Sequence, residues 1–437
     1  MTANIAVVGG GWAGCAAAVE LARGGARVTL FEAARTLGGR ARRIEQAGRT
    51  LDNGQHILLG AYDRTLRLLA TVGVDRRQAF LTLPLQMRYP PGRGGMDFVA
   101  PRLPAPLHLA VALLRAQGLD RADKLAMARF STTARWLGWR LDSDCSVAEL
   151  LARYDQTERL YRLMWRPLCL AALNTAPEQA SANVFLAVLR DSLGAGRAAS
   201  DMLLPRADLS ALFPDAAARW LAGHGATVRT GARVDTVAPA GAGWQVGTET
   251  FDGVVLAVAP VSAAGLLAPL PDSATLTARL AALAPEPIAT CYLQYDATLR
   301  LPQPFFALAD DATAGRWGQF VFDRGQLDDG QAGMLAVIVS AAGAAAALPR
   351  QALADAIAAQ LAAEFGRPQL AAPGWSTVVT EKRATHASTP ALQRPANETP
   401  WPGLVLAGDY TAGEYPATLE MAVRSGLAAA TLLRARR

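Results

Sequence analysis

Gly9, Gly11 and Gly14 follow directly on an apolar run, Ile5-Ala6-Val7-Val8, and lead into an alanine-rich stretch that opens at Cys15. In that context the spacing suits one chemistry, the binding of a dinucleotide's diphosphate. Gly9 permits the tight turn, Gly11 lets a diphosphate approach the backbone, and Gly14 lets helix and strand pack closely. The free N–H groups and the dipole of the helix N-terminus then stabilise the anion. A second strand, predicted over 27–32, ends in Glu32, 18 residues after Gly14. A carboxylate there can accept hydrogen bonds from a ribose diol and would repel a 2′-phosphate.

Three further stretches hold groups of the same kind. Leu37-Gly38-Gly39-Arg40 puts backbone amides and a guanidinium just beyond the fingerprint, and arginine suits bidentate pairing with a phosphate or a flavin oxygen. The segment 404–426, LVLAGDYTAGEYPATLEMAVRSG, reads as a buried strand, then Gly408-Asp409, then a helix from about Pro416-Ala417-Thr418. Asp409 can accept from a ribityl hydroxyl, and the amides at Thr418 and Leu419 can stabilise negative charge at the pyrimidine end of a flavin; taken alone, the segment is also an ordinary strand–loop–helix closing a sheet. In LDNGQHILLG (51–60), Asp52, Asn53, Gln55 and His56 crowd around Gly54 at the entrance to an apolar run. That is either a decorated turn or a polar wall facing a bound cofactor.

The elements that must position these groups are legible in outline. At 437 residues the chain exceeds one simple core, so two intertwined domains are expected. With 51% hydrophobic and 18% charged residues it is globular. The formal charge of +6 is carried by arginine, since Lys124 and Lys382 are the only lysines. No basic block marks a nucleic-acid partner. Cys15, Cys145, Cys169 and Cys291 are scattered and read as reduced thiols of a cytoplasmic protein; the four histidines are equally dispersed, so no metal site is expected. No uncharged apolar run reaches the roughly 18 residues of a membrane span, and the N-terminus reads as strand–turn–helix rather than a signal segment. GAGW (241–244) follows no buried strand and opens no helix, so no second dinucleotide site is expected, and a flavin bound at the first would take its electrons from an external donor. Helical spacing marks 106–119, 121–141 and 146–154, a helix begins at Asp215 and closes at Gly223 to Gly225, and alternation marks strands at 289–296 and 318–323.

Together these residues resemble the flavin-containing amine-oxidase and phytoene-desaturase superfamily. Within it, four stretches resemble the squalene-associated branch, the hydroxysqualene dehydroxylases: LDNGQHILLGAY (51–62), MWRPLCLAALNTAPEQAS (164–181), EKRATHASTPALQRP (381–395) and AGDYTAGEYPATLEMAVRSG (407–426). The resemblance implies an α/β fold, with a Rossmann-like FAD-binding domain from 1–84, 206–270 and 385–437 and an inserted α+β substrate domain from 85–205 and 271–384. FAD would lie on Gly9, Gly11, Trp12, Ala13 and Gly14, with Glu32 and Ala33 at its ribose and Val234 near its adenine. Gly39 and Arg40, Gly408 and Asp409, and Thr418 and Leu419 would follow it toward the ring. Gln55 and His56 would face the isoalloxazine.

The implied substrate is a triterpene-sized allylic alcohol whose hydroxyl is replaced by hydride, giving squalene, water and oxidised flavin in bacterial hopanoid biosynthesis. That chemistry needs a proton donor for the departing oxygen, a dry apolar channel in which an allylic cation survives, and hydride delivery from flavin N5 at near-attack distance. His56 titrates near neutrality and is the first candidate donor, Tyr62 the second; His56 can equally serve as a hydrogen-bonding wall residue. Among the aromatics at 136, 139, 165, 305, 306, 317, 320 and 322, some would be core and a few would line the channel.

A lipid-dissolved isoprenoid gains almost none of the ~0.8 kcal/mol per methylene of leaving water when it enters an apolar channel. Delivery from a bilayer is therefore expected, with the protein cytoplasmic and in peripheral contact at the inner face of the membrane. The run Leu103–Leu114 can lie in that interface or pack as core. Three alternatives stay open: a carotenoid-type desaturase running hydride the other way, an amine oxidase, and a prenyl-lipid carrier without cofactor, against which Glu32, Arg40 and Asp409 argue.

Overall fold

The structure is a computed structural model describing residues 2–91 and 94–435. Its centre is a five-stranded sheet in the order Thr227–Thr230, Arg27–Glu32, Asn4–Val8, Gly253–Leu256, Leu404–Leu406, parallel throughout. The middle strands are apolar along their length because both faces are covered, as parallel sheets require. Helices Trp12–Arg23 and Leu419–Ala435 cover one face together with Pro214–Gly223. The other face carries an antiparallel meander, Val237–Ala240, Gly243–Val246 and Glu249–Phe251, and the helix Pro260–Leu267. GAGW forms the first turn of that meander.

Helix boundaries differ from expectation by a few residues. The first helix begins at Trp12 rather than Cys15, because Gly11 already has the extended backbone of an N-cap and the Cys15 N–H donates to its carbonyl. The last begins at Leu419, since Pro416 and the turn before it leave no helical backbone. The predicted 106–119, 121–141 and 146–154 shorten to Leu107–Arg115, Arg121–Trp136 and Val147–Arg153; the extended backbone of Ala116 ends the first, and Gly138 at positive φ follows the C-cap of the second.

A second five-stranded sheet is antiparallel: Phe305–Ala307, Phe320–Asp323, Met334–Val339, Pro285–Gln294, Trp375–His386. It contains both strands predicted from alternation. Helix Arg350–Phe365 packs on one face. The other face, with Tyr292, Phe305, Phe320 and Phe322, joins the core of the helical segment spanning 107–189. The chain therefore has an α/β unit built on the parallel sheet and an α+β unit built on the antiparallel one, and their shared seam lies at the carboxyl ends of the parallel strands. In open sheets of this kind that is where the strand order reverses and where ligands bind.

Candidate active site

The fingerprint turn is built by contact. A Cβ at Gly14 would lie 1.9 Å from the Gly9 carbonyl oxygen, and one at Gly9 would lie 2.4 Å from the Ala257 carbonyl oxygen. These two glycines are packing requirements. Gly11 differs: a Cβ there would meet only the Gly39 Cα at 3.8 Å, so its side faces open space. The Leu37–Arg40 turn is laced to the fingerprint, with the Gly38 N–H donating to the Gly10 carbonyl at 2.8 Å. Gly11, Gly39 and the unpaired N–H groups of the first helical turn thus line one shallow cradle that fits a diphosphate.

Glu32 lies beside this cradle. Its two carboxylate oxygens accept from the Gly10 and Ala34 N–H groups, both at 2.7 Å. The strand Thr227–Thr230 runs alongside, pairing Thr230 with Glu32, and the chain continues directly to half-buried Val234. Ala33 is exposed at the same edge. The side chains of Trp12 and Ala13 do not reach the cradle. The Trp12 indole turns inward, donates to the Ala41 carbonyl and packs on Phe213. Ala13 lies under the last helix, where a Cβ on Gly426 would come within 2.2 Å of its carbonyl oxygen. Both side chains are core, and only their backbone N–H groups are available to a ligand.

Arg40 and Asp409, 369 residues apart, meet in an ion pair at 2.6 Å, and Arg40 also donates to the Ala384 carbonyl. The two ends of the chain and the strand Trp375–His386 are thereby tied at one point. Arg40 is ringed by protein yet keeps 38% of its side chain accessible, which marks it as a cavity wall rather than core. Gly408 serves packing, because a Cβ there would strike the Tyr410 ring at 2.3 Å, and its N–H donates to Ser425. Thr418 and Leu419 stand at the N-terminus of the last helix. Glu420, fully buried, accepts from the N–H groups of Arg64 and Thr65 and from the Thr65 hydroxyl, fixing the helix Asp63–Thr71 against it. Tyr62 precedes that helix, its phenol against Thr418; burial, reinforced by the Glu420 carboxylate, pushes its ionisation well above the ordinary range.

The LDNGQH stretch divides in two at Gly54, whose φ of +102° reverses the chain. Asp52 points away from the others: it is 5% exposed and its Oδ1 accepts from the Leu209 N–H at 2.8 Å, anchoring a short helix. Asn53 bridges the Arg40 carbonyl and the Glu381 carboxylate. Gln55 is fixed at both ends of its amide, Nε2 donating to the Tyr292 hydroxyl and Oε1 accepting from Arg324. Tyr292 donates in turn to the Asp52 carbonyl at 2.7 Å. His56 has Nδ1 3.2 Å from the Gly54 carbonyl oxygen; burial lowers its pKa, and the Arg40 charge lowers it further.

Tyr292, Arg324 and His386 were not assigned from sequence. Arg324 is 2% exposed, its guanidinium donating to Gln331, Gln55 and the Pro205 carbonyl. A buried cation held by neutral oxygens strengthens the field on any charge forming beside Gln55. His386 is buried near Asp409, and burial pushes its pKa down to about 4. Two of the family-like stretches with little chemistry of their own turn out to bind each other: Asn174 donates to Thr385, Ser181 to the Ser388 carbonyl, and Ser388 to Thr175. Of the aromatics expected near the channel, Phe305, Phe320 and Phe322 stack on the Tyr292 face. Trp165 is core between Phe130 and Phe185, Phe306 and Trp317 pack on the opposite face, and Trp136 is 85% exposed.

Burial raises the Asp52 carboxyl to about 7. Between about pH 4 and 7 the folded chain holds a proton that the unfolded chain has released, so stability falls as pH rises through that window. Asp52→Asn keeps an acceptor for Leu209 and removes the titration. Thermal melts from pH 4 to 8 should show the variant gaining on the native chain as pH rises, by at most about 4 kcal/mol. Parallel curves would mean that Asp52 is ionised throughout.

Known proteins place the chain in a family. The model for flavin containing amine oxidoreductases matches residues 12–434. A hydroxysqualene dehydroxylase of Rhodopseudomonas palustris is 33% identical, with 99% of each chain covered. A zeta-carotene desaturase of Zea mays is 32% identical, over only 28% of this chain and 21% of its own. The solved cyclohexylamine oxidase of Brevibacterium oxydans superposes along the full length of both chains with a TM-score of 0.69 at 19% identity, which establishes the shared fold. With a fingerprint cradle that fits FAD and a full-length match to the family, this chain is an FAD-dependent oxidoreductase of the flavin containing amine oxidoreductase family, in the branch of its hydroxysqualene dehydroxylase relatives.

Proposed function

We propose that the chain reductively dehydroxylates hydroxysqualene to squalene in hopanoid or squalene biosynthesis, drawing electrons from an external donor. One juxtaposition carries the reading: the polar Gln55–His56 wall meets the apolar, aromatic face of the second sheet at Tyr292, Phe305 and Phe322. The cradle, with Arg40 and Asp409, would hold FAD, which when bound and reduced would supply the hydride. The net change is loss of the substrate hydroxyl as water, gain of hydride at carbon, and oxidation of the flavin. His56 donates the proton to the departing oxygen, and Gln55, immobilised by Arg324 and Tyr292, keeps that wall in register. The Phe305–Phe320–Phe322 stack excludes water from the developing allylic cation and offers it aromatic faces. Tyr62, beside Thr418 at the other end of the wall, is the alternative donor. The full-length likeness to a hydroxysqualene dehydroxylase supports this direction of hydride flow over that of the desaturases, which match over a fraction of the chain.

Purified protein given FAD, a chemical reductant and hydroxysqualene should yield squalene, read by mass. The oxidised protein given phytoene should yield no desaturated product. The opposite pair of results would assign the chain to the desaturases instead.

A further inference from the structure

The helices Leu107–Arg115 and Arg121–Trp136 carry a surface that the fold does not use. Their inner faces enter one core, through Ala112 and Ala116 of the first segment and Ala126, Met127, Phe130 and Ala134 of the second. The two helices also pack directly on each other, so their outer faces are neighbours on the surface. Lys124 reinforces this by donating to the Leu114 carbonyl at 2.9 Å, closing the end of one helix onto the first turn of the other. Outward from the first helix stand Leu107 and Leu114, 56% and 73% exposed, one helical stripe with Leu103 just before it. Outward from the second stand Leu125 and Trp136, 64% and 85% exposed, on a stripe of their own. Five of the six exposed large hydrophobics recorded for the described residues fall within these 34 positions.

The flanks are basic. Between 102 and 136 there are six basic and two acidic residues, so this short segment holds most of the chain's formal excess of six positive charges. Arg102, Arg115, Arg121, Arg129 and Arg135 are all exposed. One of the two acids, Asp123, is buried in the capping box of its helix and accepts from Thr157. A second copy of this chain is a poor occupant, because an isologous contact would bring two such basic surfaces face to face. A neutral protein groove would leave the arginines without purpose. Apolar stripes with a tryptophan, rimmed by arginine, match an anionic bilayer, where leucine and tryptophan enter the headgroup boundary and the guanidinium groups meet phosphates.

We infer that these two helices dock the protein on an anionic lipid surface, with Leu107, Leu114, Leu125 and Trp136 inserted and the arginines on the headgroups. The surface rests on its own residues; only its use, passing an apolar substrate between bilayer and core, rests on the isoprenoid reading. The inner faces of the same helices belong to the core that includes Tyr292 and the phenylalanine stack.

The test is flotation of the FAD-loaded protein with vesicles of equal parts phosphatidylcholine and phosphatidylglycerol, and with phosphatidylcholine alone. The native protein should float with the anionic vesicles, release as salt is raised, and bind the zwitterionic ones on the order of 10-fold less. The triple variant Leu107→Asp, Leu114→Asp, Trp136→Asp should lose at least about 10-fold in binding while keeping the flavin spectrum, the melting temperature and turnover of detergent-dispersed substrate. Native protein that stays off anionic vesicles at low salt overturns the inference. So does a triple variant that binds like the native chain, or a native chain that dimerises where the variant does not, which would make the face a self-association surface. Turnover of dispersed substrate reads the proposed reaction separately, so either idea can fail alone.

Discussion

Gly11→Ala should fold as well as the native chain and bind FAD on the order of 100-fold more weakly, a loss of about 3 kcal/mol. Gly11 has φ −71° and ψ −180°, a backbone open to any residue, and its new methyl would touch nothing nearer than Gly39 at 3.8 Å. The only thing it displaces is whatever comes up against the cradle. Gly14→Ala is the counterpart. Its methyl would sit 1.9 Å from the Gly9 carbonyl oxygen and 3.1 Å from the Ala257 side chain, so the first helix must leave the sheet, and the loss should appear as a lower melting temperature even without cofactor. Melting of the apo-proteins and flavin titration of each separate the two. A Gly11→Ala protein that stays yellow at native affinity would remove the diphosphate from this cradle.

That pair also shows what a sequence pattern can and cannot tell. The spacing of three glycines before an alanine-rich helix places the turn, and the strand endings at Glu32 and Leu406 place its neighbours, because buried parallel strands are written as continuous apolar runs. The pattern assigned Gly11 to the ligand and Gly14 to packing, but the contacts that create those roles come from residues outside it, Ala257 and Gly39 among them, which the pattern does not reveal. The same limit hid Arg324. In a chain with 43 basic residues, nearly all arginine, nothing in FVFDRG distinguishes a guanidinium sealed in the core from one in solvent. It is identified only by its partners, Gln55, Gln331 and the Pro205 carbonyl, each from a different segment.

Asp52 makes the reverse point. Sequence proximity grouped it with Gln55 and His56 as one polar wall, but the left-handed turn at Gly54 sends the two halves to different neighbours. Asp52 supports a helix on the flavin-domain side, while Gln55 reaches across to the second sheet. The stretch thus bridges the short helix at Leu209 and the second sheet, held by Tyr292, which touches both halves through one hydroxyl. Trp136, grouped by its size with residues expected in the core or along the channel, is neither: it stands on the outer stripe of a helix, 85% exposed.

His56→Ala should take up FAD normally and lose most of its turnover, on the order of 100-fold or more, when supplied with chemically reduced flavin. The native rate should also carry a signature in pH. Burial, with Arg40 adding to it, holds the His56 pKa below its ordinary value, so at neutral pH only a minority of molecules carry the imidazolium. If that proton is the one given to the departing oxygen, single-turnover rate should climb as pH falls from 8 toward 6, by up to about tenfold per pH step while His56 remains mostly neutral. Asp52, which titrates in the same region, is the group most apt to imitate this. The two are told apart by variants: Asp52→Asn should keep the slope, and His56→Ala should flatten it along with the rate. A His56→Ala enzyme that is slow but retains the slope would make His56 a positioning residue with the proton coming from elsewhere, and one with native turnover would remove it from the chemistry altogether.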